Sequence, residues 1–216
     1  MYMRVKMTVT ATSQFTGLAF PVPSAILKSD TVKEDKTMYR REIDPAEYAD
    51  AIHEMLRRGI FLTSKAGDKV NTMVIGWGHI GRIWEKDVFV AYVRRNRYTH
   101  ELLDANPEFT VNVPVHGFDP KVFAICGTKS GRDMDKIKEA GLTLAEPQAV
   151  SVPAIKEYPL TLECRVIYRE EQDASKLPEE IIQKFYSIEK EDHISYYGEI
   201  KAAYILEEEK AEILQV

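Results

Sequence analysis

Apolar and polar positions follow two rhythms along this chain, and the switches between them mark its elements. Asp44-Pro45-Ala46-Glu47 sets a capping carboxylate, a proline at the first helical position and an acidic third residue in register, the signature of a helix start. Tyr48, Ile52, Met55 and Leu56 then recur at helical spacing until Gly59, which predicts a short amphipathic helix. From Ile60 the period falls to two. Residues 60–66 and 70–77 are rich in β-branched and aromatic side chains on either side of Gly67-Asp68-Lys69, the pattern of a hairpin. Residues 87–94, DVFVAYVR, and 108–113 read as further strands, separated by a helix over 99–106 that Pro107 closes.

Farther along, Asp119-Pro120 opens a helical turn toward Cys126, and residues 130–140 read as a helix with Gly141 beyond its end. Late strands are predicted over 160–170 and 194–206, with a helix near 178–186 between them. Short strands at irregular spacing, single helices between them and no internal repeat predict a mainly β (α+β) fold, a small barrel with inserted and flanking helices rather than a doubly wound sheet. Residues 1–37 show neither rhythm, carry Pro21 and Pro23, and end in KSDTVKEDKT. They read as a flexible N-terminal extension ahead of one domain at 38–216. The C-terminal EEEKAEILQV either caps the barrel or docks on a neighbour.

Composition narrows the function. A chain of 216 residues with 44% hydrophobic and 29% charged side chains can bury a core. The formal net charge of -5 argues against nucleic-acid binding, whose affinity comes from neutralising phosphates with a basic face. Cys126 and Cys164 form no CxxC pair, so neither a disulfide framework nor a zinc site is expected, and a reducing cytoplasm fits. No apolar run is long enough to span a bilayer, and the N-terminal stretch after Arg4 and Lys6 is rich in Thr and Ser instead of a signal core. The five histidines lack metal-site spacing, and no GxSxG elbow is present.

The candidate chemistry gathers at VRRNRYTHELL, residues 93–103, where a strand runs through Arg94, Arg95 and Arg97 into Tyr98-Thr99 at a helix start. Unpaired helix N–H groups beside guanidinium groups make an anion site; the plainer reading is strand-end charges paired with acidic side chains. CGTKSGRDMDK, residues 126–136, repeats the theme with Gly127, Lys129, Ser130 and Arg132, although Ser130 also reads simply as a helix cap. GWGHIG, residues 76–81, has the glycine spacing of a dinucleotide loop, but no helix begins there to receive a pyrophosphate, so strand-end geometry is the better reading. Trp77 and Trp84 flank that stretch and suit an aromatic ligand or a dimer contact. His193 precedes the last strand and reads either as a loop histidine or as a site residue.

The series GIFLTSKAGDKVNTMVIGWG, VFVAYVRRNRYTHELL, FTVNVP, CGTKSGRDMDKI, LECRV and DHISYYGEI resembles, in order, the flavin reductase-like, FMN-binding split-barrel family and its flavoredoxin-like branch. The resemblance runs from Met38 to the last strand. It implies a split β-barrel homodimer with one FMN per subunit near the subunit boundary. By it, Thr63, Ser64, Asn71, Thr72 and Met73 line the isoalloxazine, and Arg94, Arg97, Tyr98 and Thr99 grip the phosphate. Gly127, Lys129, Ser130 and Arg132 form a second cofactor loop that reaches the FMN of either subunit, and His193 is the candidate catalytic residue near the open face of the flavin. It further implies a flavin-dependent oxidoreductase of the NAD(P)H:flavin reductase type, with flavin, a metal complex or another small molecule as acceptor. The alternatives are an electron-transfer or flavin-binding protein served by a redox-protein partner without a nicotinamide site, and a split barrel carrying heme or another cofactor. Residues 1–37 stand outside the family pattern, and Trp77, His79 and Trp84 make a bulky lip that leaves the substrate open.

Overall fold

The computed structural model describes residues 38–187 and 192–208; the predicted extension 1–37 and most of the C-terminal tail lie outside the described residues. Among the described residues ten strands form: β1 (Met38–Glu42), β2 (Ile60–Ala66), β3 (Lys69–Ile75), β4 (Gly78–Ile83), β5 (Lys86–Arg94), β6 (Glu108–Val113), β7 (Leu144–Ala145), β8 (Ala154–Ile155), β9 (Leu160–Glu171) and β10 (His193–Glu208). The helices among them are α1 (Ala49–Leu56), α2 (Tyr98–Ala105), α3 (Pro120–Thr128), α4 (Lys136–Glu139) and α5 (Glu179–Phe185). The main sheet runs in the order β3-β2-β6-β9-β10-β5-β4 with every pairing antiparallel. β3 and β4 are the two ends of that order, joined in sequence by Gly76-Trp77, and the fold is a split barrel.

The longest strand bends this sheet around its core. The first half of β10 pairs with β5, from His193 opposite Arg94 to Glu199 opposite Val88, and its last part pairs with β1. Along its other edge, the register with β9 slips between Tyr197 and Gly198 and again between Ile200 and Ala202; such irregularities sharpen twist and bend a strand. The period-two rhythm turns Leu62, Phe89, Val93, Phe109, Val111, Leu160, Leu162, Ile194 and Tyr196 into one buried cluster, which Ile52 and Leu56 of α1 close. Each such side chain contributes about 1.5–3 kcal/mol of burial free energy. A second cluster on the outer face seats α3 against the sheet through Phe61, Val122, Cys126, Ile155 and Tyr158.

The outer face of β6 and β9 is polar and nevertheless buried. The register places Glu108 opposite Arg165, Thr110 opposite Glu163 and Asn112 opposite Thr161, and this row docks the stretch 146–159. Thr110 donates to the Pro153 carbonyl at 2.8 Å, and Asn112 donates to Tyr158 O at 2.9 Å. Glu163 accepts from the N–H groups of Gln148 (2.8 Å), Ala149 and Val150 (3.2 Å) and from the Tyr204 hydroxyl (2.7 Å). Removing that carboxylate leaves three inward N–H groups without their acceptor, so Glu163→Ala is expected to cost about 3 kcal/mol. An unchanged denaturant midpoint would contradict this role.

Glu108 is held by the Ser151 N–H and hydroxyl and by a two-pronged Arg165 contact at 3.0 Å. Burial pushes its pKa up, but those hydrogen bonds outweigh burial and the net shift is downward. Its stabilising contribution is therefore complete above the ordinary carboxylate range and is lost as pH falls through the depressed native value.

Three local expectations change. Residues 130–135 are turns, and only Lys136–Glu139 is helical, because the Ser130 hydroxyl closes a turn with the Arg132 N–H while Asp135 caps the helix at Lys138 N. The GWGHIG stretch contains an edge strand, β4, paired with β5. The turn after it places Trp84 and Glu85 at φ 53 and 59, the left-handed geometry of tight hairpins. Finally, β1 forms as an edge strand on β10.

Candidate functional site

Where β5 passes into α2, and where α3 and the 129–132 loop face them, a cavity of about 400 Å³ opens. Strand alternation sorts the three arginines. Arg94 and His193 are cross-strand partners and both line the cavity, whereas Arg95 turns away to Glu171 at 3.1 Å. The plainer reading of surface charges thus fits Arg95. Arg97 caps α2 with extended backbone and also lines the cavity, beside Tyr98 and Thr99 in the first turn. Thr99 is anchored from β3, its hydroxyl accepting from Asn71 Nδ2 at 3.0 Å.

The last turn of α3 and the 129–132 loop close the opposite wall. Arg132 donates from Nε to Glu101 at 3.0 Å and from Nη1 to the Asn96 carbonyl at 3.0 Å, with its guanidinium 5.5 Å above the Tyr98 ring. It ties the loop to the start of α2. Gly131 approaches β3 so closely that a Cβ there would collide with the Asn71 carboxamide. Gly127, Lys129, Ser130 and Met73 complete the predicted part of the wall.

His193 is held between Tyr186 and Trp77. Its Nδ1 lies 3.0 Å from the Tyr186 hydroxyl, and its ring lies 4.7 Å from that of Trp77. Burial pushes the Tyr186 phenol above its ordinary pKa, so this partner stays protonated at neutral pH. Arg94 braces the same corner: it donates to the Phe185 carbonyl at the end of α5 at 2.8 Å and sits over the Tyr186 ring. Trp77 packs edge-on against Phe185 at 5.2 Å. Trp84, in contrast, projects 54% exposed from the hairpin turn, grouped with Tyr168 and Tyr197.

The hairpin residues divide between its two faces. Asn71 and Met73 reach the cavity. Thr63 and Thr72 do not, because the register pairs them with each other, Thr63 donating to Thr72 at 3.1 Å and Thr72 to the Leu62 carbonyl. Ser64 is the cross-strand partner of Asn71 but is fully buried and absent from the cavity wall.

Lys136, Tyr92, Asn96 and Cys126 line the cavity without having been singled out by the sequence. Tyr92 shares the cavity face of β5 with Arg94, so strand period could have found it. Lys136 was hidden because residues 130–140 read as one continuous helix. Among the described residues of the wall, five side chains carry formal positive charge, Arg94, Arg97, Lys129, Arg132 and Lys136, and no carboxylate joins them, although the chain as a whole has a net charge of -5.

A family model described as the flavin reductase like domain matches residues 57–215. The chain belongs to the flavin reductase-like, FMN-binding split-barrel family. Among curated relatives of this family member, a protein of Archaeoglobus fulgidus described as uncharacterized is 34% identical over 107 residues, which is 50% of this chain and 59% of that protein. The match thus spans about three fifths of its relative's length. The crystal structure of flavoredoxin from Methanosarcina acetivorans is 27% identical with a TM-score of 0.51, over 68% of this chain and 67% of that one. An FMN-binding domain of a flavin reductases-like enzyme from Shewanella baltica OS155 shares the fold at 15% identity and TM-score 0.52, over 79% and 78% of the two chains. Among the described residues of this flavin reductase-like protein, no helix is long and apolar enough to cross a membrane, and no cluster of His, Cys, Asp or Glu is arranged to hold a metal ion.

Proposed function

We propose that this flavin reductase-like protein binds FMN in the cationic cavity and passes electrons from NAD(P)H through it to free flavin, a metal complex or another small acceptor. The observation that carries the reading is the convergence of five cations and the start of α2 on one cavity, with no carboxylate on its wall among the described residues. A phosphate monoester needs that set of donors. The buried wall also fits a flavin ring: Asn71 Oδ1 is buried without a hydrogen-bond partner among the described residues, and buried polar atoms are normally paired. Trp77 and Tyr92 add flat aromatic surface. When bound, FMN supplies the ring that accepts and releases electrons.

The chain's own groups then divide the work. Arg94 and Arg97 act on affinity, since contacts to a distant phosphate are equal before and after electron transfer. Lys129 supplies a donor that stabilises negative charge developing on the ring, whereas Asn71, whose Nδ2 is given to Thr99, offers its Oδ1 as an acceptor to a ring N–H. His193, held by Tyr186, positions the substrate and holds or moves a proton at its imidazole. The hydroxyl of Thr72, committed to Leu62 O, takes no such part.

The chain works as a homodimer in the cytoplasm on this reading. The aromatic group of Trp84, Tyr168 and Tyr197, in which Trp84 and Tyr168 are exposed, supports self-association. A second reading, an electron carrier of the flavoredoxin type served by a redox protein, is favoured by the 27% identity to flavoredoxin. Adding NADH or NADPH anaerobically to the flavin-loaded protein separates them. The reductase is expected to bleach within a few turnovers with at least one nicotinamide; a protein that bleaches only with dithionite is the carrier. A heme absorption spectrum would contradict both.

A further inference from the structure

Lys136 stands at the floor of the cavity in a position that ordinary structural lysines do not occupy. It is only 4% exposed, and its ammonium donates to two backbone carbonyls at the end of α3, Cys126 O at 3.0 Å and Lys129 O at 3.3 Å. Two N–H groups are thereby used, and an ammonium has three. Among the described residues no carboxylate pairs with it. Buried lysines are rare unless paired, because an ammonium taken from water without a counterion costs several kcal/mol.

The groups that face Lys136 deepen the imbalance. From the β5–α2 junction comes the Arg97 guanidinium, a like charge; from α3 comes the Cys126 thiol, which burial keeps protonated. The loop before α4 contributes a carbonyl from Lys129, and its Arg132 is turned to Glu101. β3, which packs on α4, lines this wall with Asn71, Met73 and Val74, none of which titrates. The Lys136 ammonium keeps one N–H beyond its two carbonyls and has no counterion among the described residues, and a phosphate dianion placed beside it supplies one.

We propose that Lys136 is a phosphate-binding residue of this cavity and that it takes up a proton as a phosphate monoester binds, so that occupancy of the site is set by pH. The inference rests on the FMN reading above and adds to it the regulation of the site. Burial, opposed by the Cys126 thiol and reinforced by Arg97, brings the Lys136 pKa down to about 8. A bound dianion favours the ammonium, so the affinity is full below that value and declines as pH rises through it. A phosphate monoester is already doubly ionised in this range, and the lysine alone supplies the transition.

The test measures FMN and riboflavin binding to the intact protein across pH. From pH 7 to pH 9 the Kd for FMN is expected to rise about tenfold while that for riboflavin, which has the same ring without the phosphate, stays constant. Lys136→Met is expected to weaken FMN about tenfold at pH 7, to flatten the pH dependence and to leave riboflavin unchanged. Full FMN affinity with an unchanged pH slope in that variant overturns the proposal. If the variant does not fold, calorimetry of the unaltered protein at pH 8, in two buffers of different ionisation enthalpy, decides: about half a proton is taken up per FMN bound, and no uptake overturns the proposal. A protein that binds FMN without proton uptake refutes only the assignment of Lys136. One that binds no flavin at any pH refutes the proposed function and this inference with it.

Discussion

An Arg94→Ala, Arg97→Ala double variant is expected to purify colourless. Charge-assisted hydrogen bonds contribute about 1.5–3 kcal/mol each, so losing one from each arginine weakens FMN by roughly 100- to 10,000-fold. Both side chains line the cavity, one from the last residue of β5 and one from the cap of α2. Arg94 also braces the end of α5 through Phe185 O, so thermal denaturation of the variant must accompany the titration. Arg95→Ala is the matched control: the same segment and charge, but a side chain directed to Glu171. It should keep its flavin. Full FMN affinity in the double variant, measured by fluorescence titration, would remove the arginines from the phosphate site.

Gly198→Ala is expected to destabilise the fold by overpacking its core. Gly198 lies at the register slip where β10 bends across β9, and a Cβ there would stand 2.5 Å from Phe109 Cζ and 2.8 Å from the Cβ of Cys164. Phe109 and Cys164 are fully buried in the barrel core and have nowhere to retreat, because interiors are close-packed. Overpacking of this kind costs about 1–3 kcal/mol, and each kcal/mol lowers Tm by about 2–4 °C in a domain of this size. Gly81→Ala makes the contrast. An added Cβ there meets nothing within 4 Å, so its effect should remain within about 0.5 kcal/mol. Equal melting temperatures for the two variants would show that the β10 bend tolerates a side chain.

What was legible in the sequence was local. The β2–β3 hairpin is written in residues a few positions apart, and the β5–α2 junction places Arg94 and Arg97 together without help from the rest of the fold; Asp44-Pro45, read as the helix start, opens a 3-10 turn over Pro45–Tyr48, and α1 follows from Ala49. The elements that escaped depend on distant partners. β1 has four exposed positions out of five and forms because β10, more than 150 residues later, offers it an edge. β4 is glycine-rich, a composition that disfavours strands, and is held by β5. The buried carboxylates Glu108 and Glu163 look like surface residues until 146–159 folds over them. In the cavity, strand alternation sent Thr63 and Thr72 to the other face of the hairpin, a distinction that the run of predicted residues did not draw. Lys136 escaped because Ser130 and Asp135 are both acceptable caps, and only the hold of Glu101 and Asn96 on Arg132 shows which one starts the helix.

The central claim is that one cationic cavity holds the phosphate of a flavin mononucleotide, and a crystal structure of the protein grown with FMN tests it most directly. The account predicts the phosphate between Arg97 and the 129–132 loop, within hydrogen-bonding reach of Lys136, with the ring along Asn71, Met73 and Trp77. FMN bound elsewhere on the surface, or in the same cavity with its phosphate turned out to solvent and the ring over the arginines, would contradict it.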